Sequence, residues 1–278
     1  METISSRQNP KVKYICSLYD RHCRAAEGSF IVEGYRACER LFQSNYSVEA
    51  LYYCSEFWKY EHRESSEALL QSAQNKFIPV FSTSKSVFEK ISYREHPDGV
   101  LAISKIKSMH LDQLEFSDNL LMIILEGVEK PGNLGSIIRS AQAVGANALI
   151  LCDSTVDPYN PNVIRASQGL IFSCPLVLST NEATLAYCLK NQIQLVTTSP
   201  HASKIFWEED FTQSTAIVMG SEKTGLSPFW LQSKLSTSIK IPIIEAADSL
   251  NVSTATALIL YEALRQREVY RYGALNNR

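Results

Sequence analysis

Three stretches in the second half of the chain combine residue types that could hold a flat, polar ligand. They are LEGVEKPGNLGSIIRSAQAVGA (125–146), IVMGSEKTGLS (217–227) and IPIIEAADSLNVSTATALILYEALRQR (241–267). Each sets an apolar, strand-like run directly before a loop of small residues, and the first and third loops then open helices. Small side chains let backbone N–H and C=O groups come close to a ligand, and Gly220 suits such an approach. Three such loops in one half of the chain predict that they meet at one site.

Two common nucleotide chemistries do not fit. No GxGxxG follows a strand, so the dinucleotide fingerprint is absent. GSEKTGLS (220–227) has the two glycines of a phosphate loop, but Leu226 stands where that loop needs Lys, and Lys223 lies inside it instead. ATP or GTP hydrolysis is therefore not expected.

The polar side chains around these loops carry the candidate chemistry. Arg139 interrupts an otherwise apolar-to-small helix and reads as an exposed helix arginine or as an anion ligand. Its guanidinium, with a pKa above ~12, is a poor base, so charge stabilisation or a phosphate clamp suits it better. Asn133 is a helix cap or a loop-ordering group. Glu222 is a surface carboxylate, a ribose ligand or a partner for the arginine. Ser249, Asn251 and Ser253 open the last helix, and one of them caps it. The side chains of Ile241 and Leu250 read as core. Arg165, in NVIRASQG, could meet a phosphate or a partner subunit.

These residues need a layered scaffold. Strand candidates at 120–128, 148–153, 193–199, 215–221 and 237–242 are short and mostly apolar, as in a parallel sheet covered on both faces. Helical stretches near 134–145, 160–170, 181–191 and 251–271 separate or follow them. Before them, one helix within 5–24, strands at 30–34, 50–54, 77–83 and 99–106, and helices at 35–44 and 57–76 give a smaller α/β unit. The polar stretch 107–119 breaks the pattern, so the expected organisation is a domain over 1–107, a linker over 108–118 and a domain over 119–278.

Composition bounds the partners. Net charge is −2, with 15 basic and 15 acidic residues in 1–117 and 12 and 14 in 118–278. Bulk charge thus does not point to non-specific nucleic-acid binding, although Lys11, Lys13, Arg21 and Arg24 form a local cluster. That cluster by itself reads as a solvated helix face. Tyr52, Tyr53, Phe57 and Trp58 read as core rather than as base-stacking platforms. Seven cysteines with no CxxC read as reduced, mostly buried thiols of a cytoplasmic protein. No Cys/His cluster has metal-site spacing, no apolar run reaches the ~18–20 residues of a membrane span, and the N-terminal stretch is not expected to be a secretory signal.

PGNLGSIIRSA (131–141), GSEKTGLS (220–227) and SLNVSTATALILYE (249–262) resemble, in order and spacing, the three motifs of the SpoU/TrmH group of SPOUT methyltransferases. VDPYNPNVIRASQGLIFSCPL (156–176) also looks like this family, and ISSRQNPKVK and GSFIVEGYRACERLF are similar to the RNA-binding domain that precedes its catalytic domain in many members. The resemblance covers nearly the whole chain. It implies an α/β fold with a trefoil-knotted parallel sheet and helices on both faces, and methyl transfer from S-adenosylmethionine to a ribose 2′-hydroxyl of RNA. It further implies a homodimer and no metal. Arg139, Asn133, Glu222 and Asn251 match the family's catalytic positions, while Gly220, Ile241 and Leu250 match positions whose main chain holds the cofactor, with Ser249 and Ser253 beside them. Lys11, Lys13, Arg24 and Arg165 are the expected RNA contacts. The added N-terminal domain favours ribosomal RNA, of the large 23S-type subunit, over transfer RNA. A non-catalytic RNA-binding or ribosome-assembly factor of the same fold is the alternative from another class.

Overall fold

The computed structural model describes residues 2–114, 119–233, 235–244 and 249–276, with side chains described as far as Val269 and not at Glu61. Residues 115–118 of the expected linker lie outside the described residues. The chain divides into two compact units, Met1–Lys107 with Asp157–Ser173, and Ser108–Val156 with Cys174–Arg278.

The first unit holds β1 (Glu2–Ile4), α1 (Pro10–Ser17), α2 (Arg21–Glu27), β2 (Ser29–Glu33), α3 (Tyr35–Gln43), β3 (Val48–Tyr53), α4 (Arg63–Asn75), β4 (Val80–Thr83), α5 (Lys85–Ile91) and β5 (Val100–Lys105). Its sheet runs β1-β4-β3-β5-β2, parallel through β1, β4 and β3, and antiparallel where β5 meets β3 and β2. The single helix expected within 5–24 is two helices. Asn9 caps α1, and the Asp20 side chain accepts from the amides of His22 and Cys23 to start α2 afresh. The helix expected over 57–76 begins only at Arg63, after two short 3-10 turns.

The second unit holds β6 (Leu121–Glu126), α6 (Pro131–Ala143) and β7 (Ala148–Cys152). The chain then passes through α7 (Pro161–Ala166), which packs in the first unit. It returns as β8 (Leu176–Ser179), α8 (Asn181–Lys190), β9 (Gln194–Thr198), β10 (Lys204–Ile205), β11 (Thr215–Met219), α9 (Pro228–Leu231), β12 (Ser236–Lys240) and α10 (Val252–Asn276). The seven strands run β10-β12-β9-β11-β6-β7-β8, every neighbouring pair parallel. Every residue of β6, β7 and β11 is buried, so both faces are covered, which explains their continuous apolar sequences. Met122, Ile124, Ile150 and Val218 share one core with Cys188 of α8 and Trp230 of α9, and α10 packs on α6.

The expected uninterrupted domain over 119–278 needs correction at 157–173. Tyr159 and Phe172 pack around Phe30 at ring distances of 4.5 and 6.0 Å, the first tilted and the second stacked. Gly169, at φ +78°, lies against Ala37, whose Cα would be 2.8 Å from any added Cβ. Arg24 is corrected with it. Its guanidinium is 2% exposed, pairs with Asp157 at 2.5 Å, and donates to the carbonyls of Leu18 at 2.8 Å and Tyr19 at 2.9 Å. It fastens this segment within the first unit and presents no charge to RNA.

No helix among the described residues is long and apolar enough to cross a membrane. All seven cysteines are free thiols, five of them buried, and no metal-holding group of His, Cys, Asp or Glu occurs among the described residues.

Candidate functional site

In an open parallel sheet, ligands bind beyond the carboxyl ends of the strands, where the strand order reverses. From β6 the chain builds one way to β7 and β8, and the other side is filled by β11, β9 and β12. A cleft of about 550 Å³ opens at the carboxyl ends of β9, β11 and β12. Its walls include Met219, Leu226, Ile239 and Ile259, and its rim carries Gly220, Glu222, Ile241, Ser249, Leu250 and Asn251. Among the described residues, no hydrogen bond engages the main chain of Gly220, Ile241 or Leu250. Unpaired backbone groups in a cleft are available to a ligand, and Gly220 is buried, where such groups demand a partner.

A chain of side-chain hydrogen bonds ties the three loops together. Asn251 Nδ2 donates to Asn133 Oδ1 at 3.1 Å, and Asn133 Nδ2 donates to Glu222 Oε1 at 2.5 Å. One residue comes from each loop, so the expected convergence is realised in contacts. Asn133 is therefore not the cap of α6. Lys130 holds that position with Pro131 following, and Asn133 sits inside the first turn with its amide turned to its neighbours. Asn251 is the residue that caps α10, since its Oδ1 accepts from the Ser253 amide at 2.9 Å. Burial raises the Glu222 carboxyl, but hydrogen bonds from Asn133 and from main-chain amides including Glu129, with the Lys130 charge, hold it below the usual carboxylate value. The stability these bonds contribute is thus fully present above that usual value and is lost as pH falls through the lowered one.

The middle loop is locked from two sides. Ser221 and Gly225 exchange backbone hydrogen bonds at 3.1 Å, with Gly225 at φ +69°. A Cβ on Gly220 would lie 2.1 Å from the carbonyl carbon of Gly225. Glycine at 220 is therefore required by the loop's own return strand, a tighter constraint than ligand access. At the other end, Glu126 is 8% exposed and accepts from the Ser227 amide at 2.7 Å, the Ser227 hydroxyl at 2.6 Å and Asn181 Nδ2 at 2.7 Å. Asn181 in turn accepts from Trp230 Nε1 at 2.8 Å. A buried carboxylate with its acceptors filled fixes the loop's exit, and removing its partners would leave it uncompensated.

Other expected residues fall elsewhere. Arg139 is exposed on α6, does not line the cleft and has no side-chain partner among the described residues. Glu222 engages Asn133 and not the arginine. Ser253 does not line the cleft, and its hydroxyl donates to Asn251 Oδ1 at 2.6 Å. Lys223 pairs with Glu129 at 2.8 Å. In the first unit, Lys11 lies 3.6 Å from Glu2 and 4.9 Å from the Phe81 ring centroid, while Lys13 and Arg165 are exposed. The sequence reading missed Thr198, Ser199 and His201 at the end of β9, which also line the cleft. The signal was there, since TTSPH is a small, polar turn directly after an apolar strand.

Residues 120–261 match the SpoU rRNA Methylase family, and residues 9–102 match the MRM3-like substrate binding domain. The chain belongs to the SpoU rRNA methylase family. Over 270 residues it is 30% identical to the 23S rRNA (uridine(2479)-2′-O)-methyltransferase of Streptomyces viridochromogenes, covering 95% of this chain and 92% of that one. Its fold is similar to that of an AdoMet-bound rRNA methyltransferase from Sinorhizobium meliloti, with a TM-score of 0.86, 27% identity, and coverage of 95% of this chain and 97% of that one. The SpoU methyltransferase AviRb of S. viridochromogenes in complex with AdoMet aligns with a TM-score of 0.83 and 29% identity, over 94% of this chain and 98% of that one. The cleft and the Asn133–Glu222–Asn251 chain both lie within the residues that match this family.

Proposed function

We propose that this SpoU-family protein transfers a methyl group from S-adenosylmethionine to a ribose 2′-hydroxyl of RNA, in large-subunit ribosomal RNA. The observation that carries the reading is the single cleft on which all three motif loops converge, cross-linked by Asn251, Asn133 and Glu222. The cleft suits the cofactor. Its volume lies within the ~300–1,000 Å³ of small-molecule sites, its apolar walls suit an adenine, and the unengaged main chain at Gly220, Ile241 and Leu250 can read polar edges. Ser249 on the rim adds a hydroxyl, whereas Ser253 acts through the cap of α10. When bound, S-adenosylmethionine supplies an electrophilic sulfonium methyl, so the protein's task is alignment. Asn133, Glu222 and Asn251 hold the loops in register, and Arg139, outside the cleft, meets the RNA phosphate or the developing 2′-alkoxide. The trefoil knot belongs to the same reading, supported by α10 returning from the β12 side to pack on α6. A cytoplasmic setting suits the free thiols.

Mapping 2′-O-methylation in cellular RNA with and without the gene tests the proposal. The expected result is one ribose methyl missing from large-subunit RNA and restored on complementation. A missing methyl in transfer RNA would move the substrate, and unchanged methylation throughout would favour a non-catalytic factor.

The cofactor site gives a further expectation. Gly220→Ala forces the 220–226 backbone apart, and an overpacking cost of ~1–3 kcal/mol borne by the cofactor-binding form of the loop corresponds to roughly 5- to 150-fold weaker cofactor binding by calorimetry. Unchanged affinity would remove Gly220 from the cradle.

The homodimer is part of the proposal. Leu258, Tyr261 and Val269 are 42%, 53% and 61% exposed at helical spacing on α10, with Arg265 between them, a mixed face suited to a second copy. Leu258→Glu with Tyr261→Glu is expected to give a monomer by light scattering, and a retained dimer would place the interface elsewhere.

A further inference from the structure

The first unit carries a fixed, half-exposed aromatic ring beside an unpaired cation. Tyr93 is 49% exposed. One face stacks on Tyr19 at 5.6 Å and 27°, and Tyr19, half-buried, donates its hydroxyl to the Ile91 carbonyl at 2.5 Å. The Tyr93 amide donates to Glu33 Oε2 at 2.8 Å, and the Tyr93 hydroxyl accepts from Asn162 Nδ2 at 3.0 Å. The ring is thus held at its backbone, at one face and at its tip, an arrangement that core packing alone does not need for a ring left half in solvent. Tyr93 and Arg165 border the same small recess with Arg94 and Glu33. Arg94 is occupied, donating to Asp98 at 3.1 Å and to the Glu33 carbonyl at 3.1 Å. Arg165, at the end of α7, is exposed and has no side-chain partner among the described residues.

We infer that Tyr93 and Arg165 form a subsite for one unpaired nucleotide of RNA, the base stacking on the open part of Tyr93 and the phosphate meeting Arg165. Pre-oriented aromatic faces stack on any base, and only an unpaired base offers its face. A free guanidinium supplies the backbone contact, and Glu33, which borders the same recess, is engaged by Ser92 and Tyr93. The inference rests on the RNA reading above. It adds that the substrate-binding unit grips a single-stranded or flipped-out nucleotide rather than the shape of a duplex.

The test uses the full chain with a fluorescein-labelled single-stranded RNA 10-mer and the same strand in a duplex, read by anisotropy. Tyr93→Leu is expected to weaken single-strand binding about tenfold, with Tyr93→Phe close to wild type, as stacking requires. Arg165→Gln, at an exposed residue with no internal partner, leaves the fold intact and should reduce the slope of log affinity against log salt by about one contact. The subsite is overturned if both Tyr93→Leu and Arg165→Gln bind single strands as wild type does. It is also overturned if single-strand and duplex binding fall equally, or if Tyr93→Phe loses as much as Tyr93→Leu. Should Tyr93→Leu fail to fold, Arg165→Gln and Tyr93→Phe decide alone. Wild-type protein without RNA affinity would instead sink the RNA reading itself, so the two failures are distinct. Duplex-only binding by wild type would replace the nucleotide subsite with a shape-reading surface.

Discussion

Arg139→Ala is expected to lower methyl transfer by roughly 10²–10³-fold, the size of an effect that removes one charge-stabilising donor from a transition state. Cofactor affinity should survive. The structure gives the reason for the split: Arg139 does not line the cleft, while the groups that do are held by Asn133, Glu222 and Asn251. The fold should survive as well, because the side chain is exposed and has no internal partner among the described residues. An arginine that only decorated a helix face would leave turnover untouched on truncation, and near-normal turnover would end the proposed role. The planar guanidinium offers paired donors that an ammonium lacks, so Arg139→Lys is expected to recover only part of the rate. Single-turnover methylation beside calorimetric cofactor titration separates these outcomes.

The sequence made the cleft legible because its signals are local. An apolar run, then small residues, then a helix marks the carboxyl edge of a parallel strand, and the three loops that read this way do line one cleft or hydrogen-bond across it. The same pattern after β9 is weaker, since TTSPH lacks glycine. What could not be read was anything set by distant partners. Gly220 was recognised as special, but the backbone that forbids its side chain lies five and six residues on, brought back by the Ser221–Gly225 pairing. Glu126 lies inside the strand expected over 120–128, and only the fold brings Asn181 and Ser227 to it. The migration of 157–173 into the first unit was hidden for the same reason, since its aromatic partners Phe30 and Tyr46 lie more than a hundred residues earlier.

Arg24 is where that blindness had its largest energetic consequence, and Arg24→Ala is expected to destabilise the first unit by ~3–5 kcal/mol, the range for breaking one partner out of a buried ion pair. Truncation leaves Asp157 facing an empty space and strips donors from the carbonyls of Leu18 and Tyr19. Its midpoint in thermal unfolding should fall by on the order of 10 °C or more. A phosphate contact would behave in the opposite way, with an unchanged midpoint and a lower salt slope of RNA binding. The double variant Arg24→Met with Asp157→Leu sharpens the distinction. Replacing both members of a buried pair with apolar groups is often close to neutral, so it should regain much of the loss while carrying no charge at either position. If the double variant binds RNA as wild type does below its unfolding temperature, Arg24 serves the fold. If single and double variants lose RNA affinity alike with midpoints intact, the buried pair is not the residue's purpose, and the guanidinium must leave Asp157 to reach the RNA.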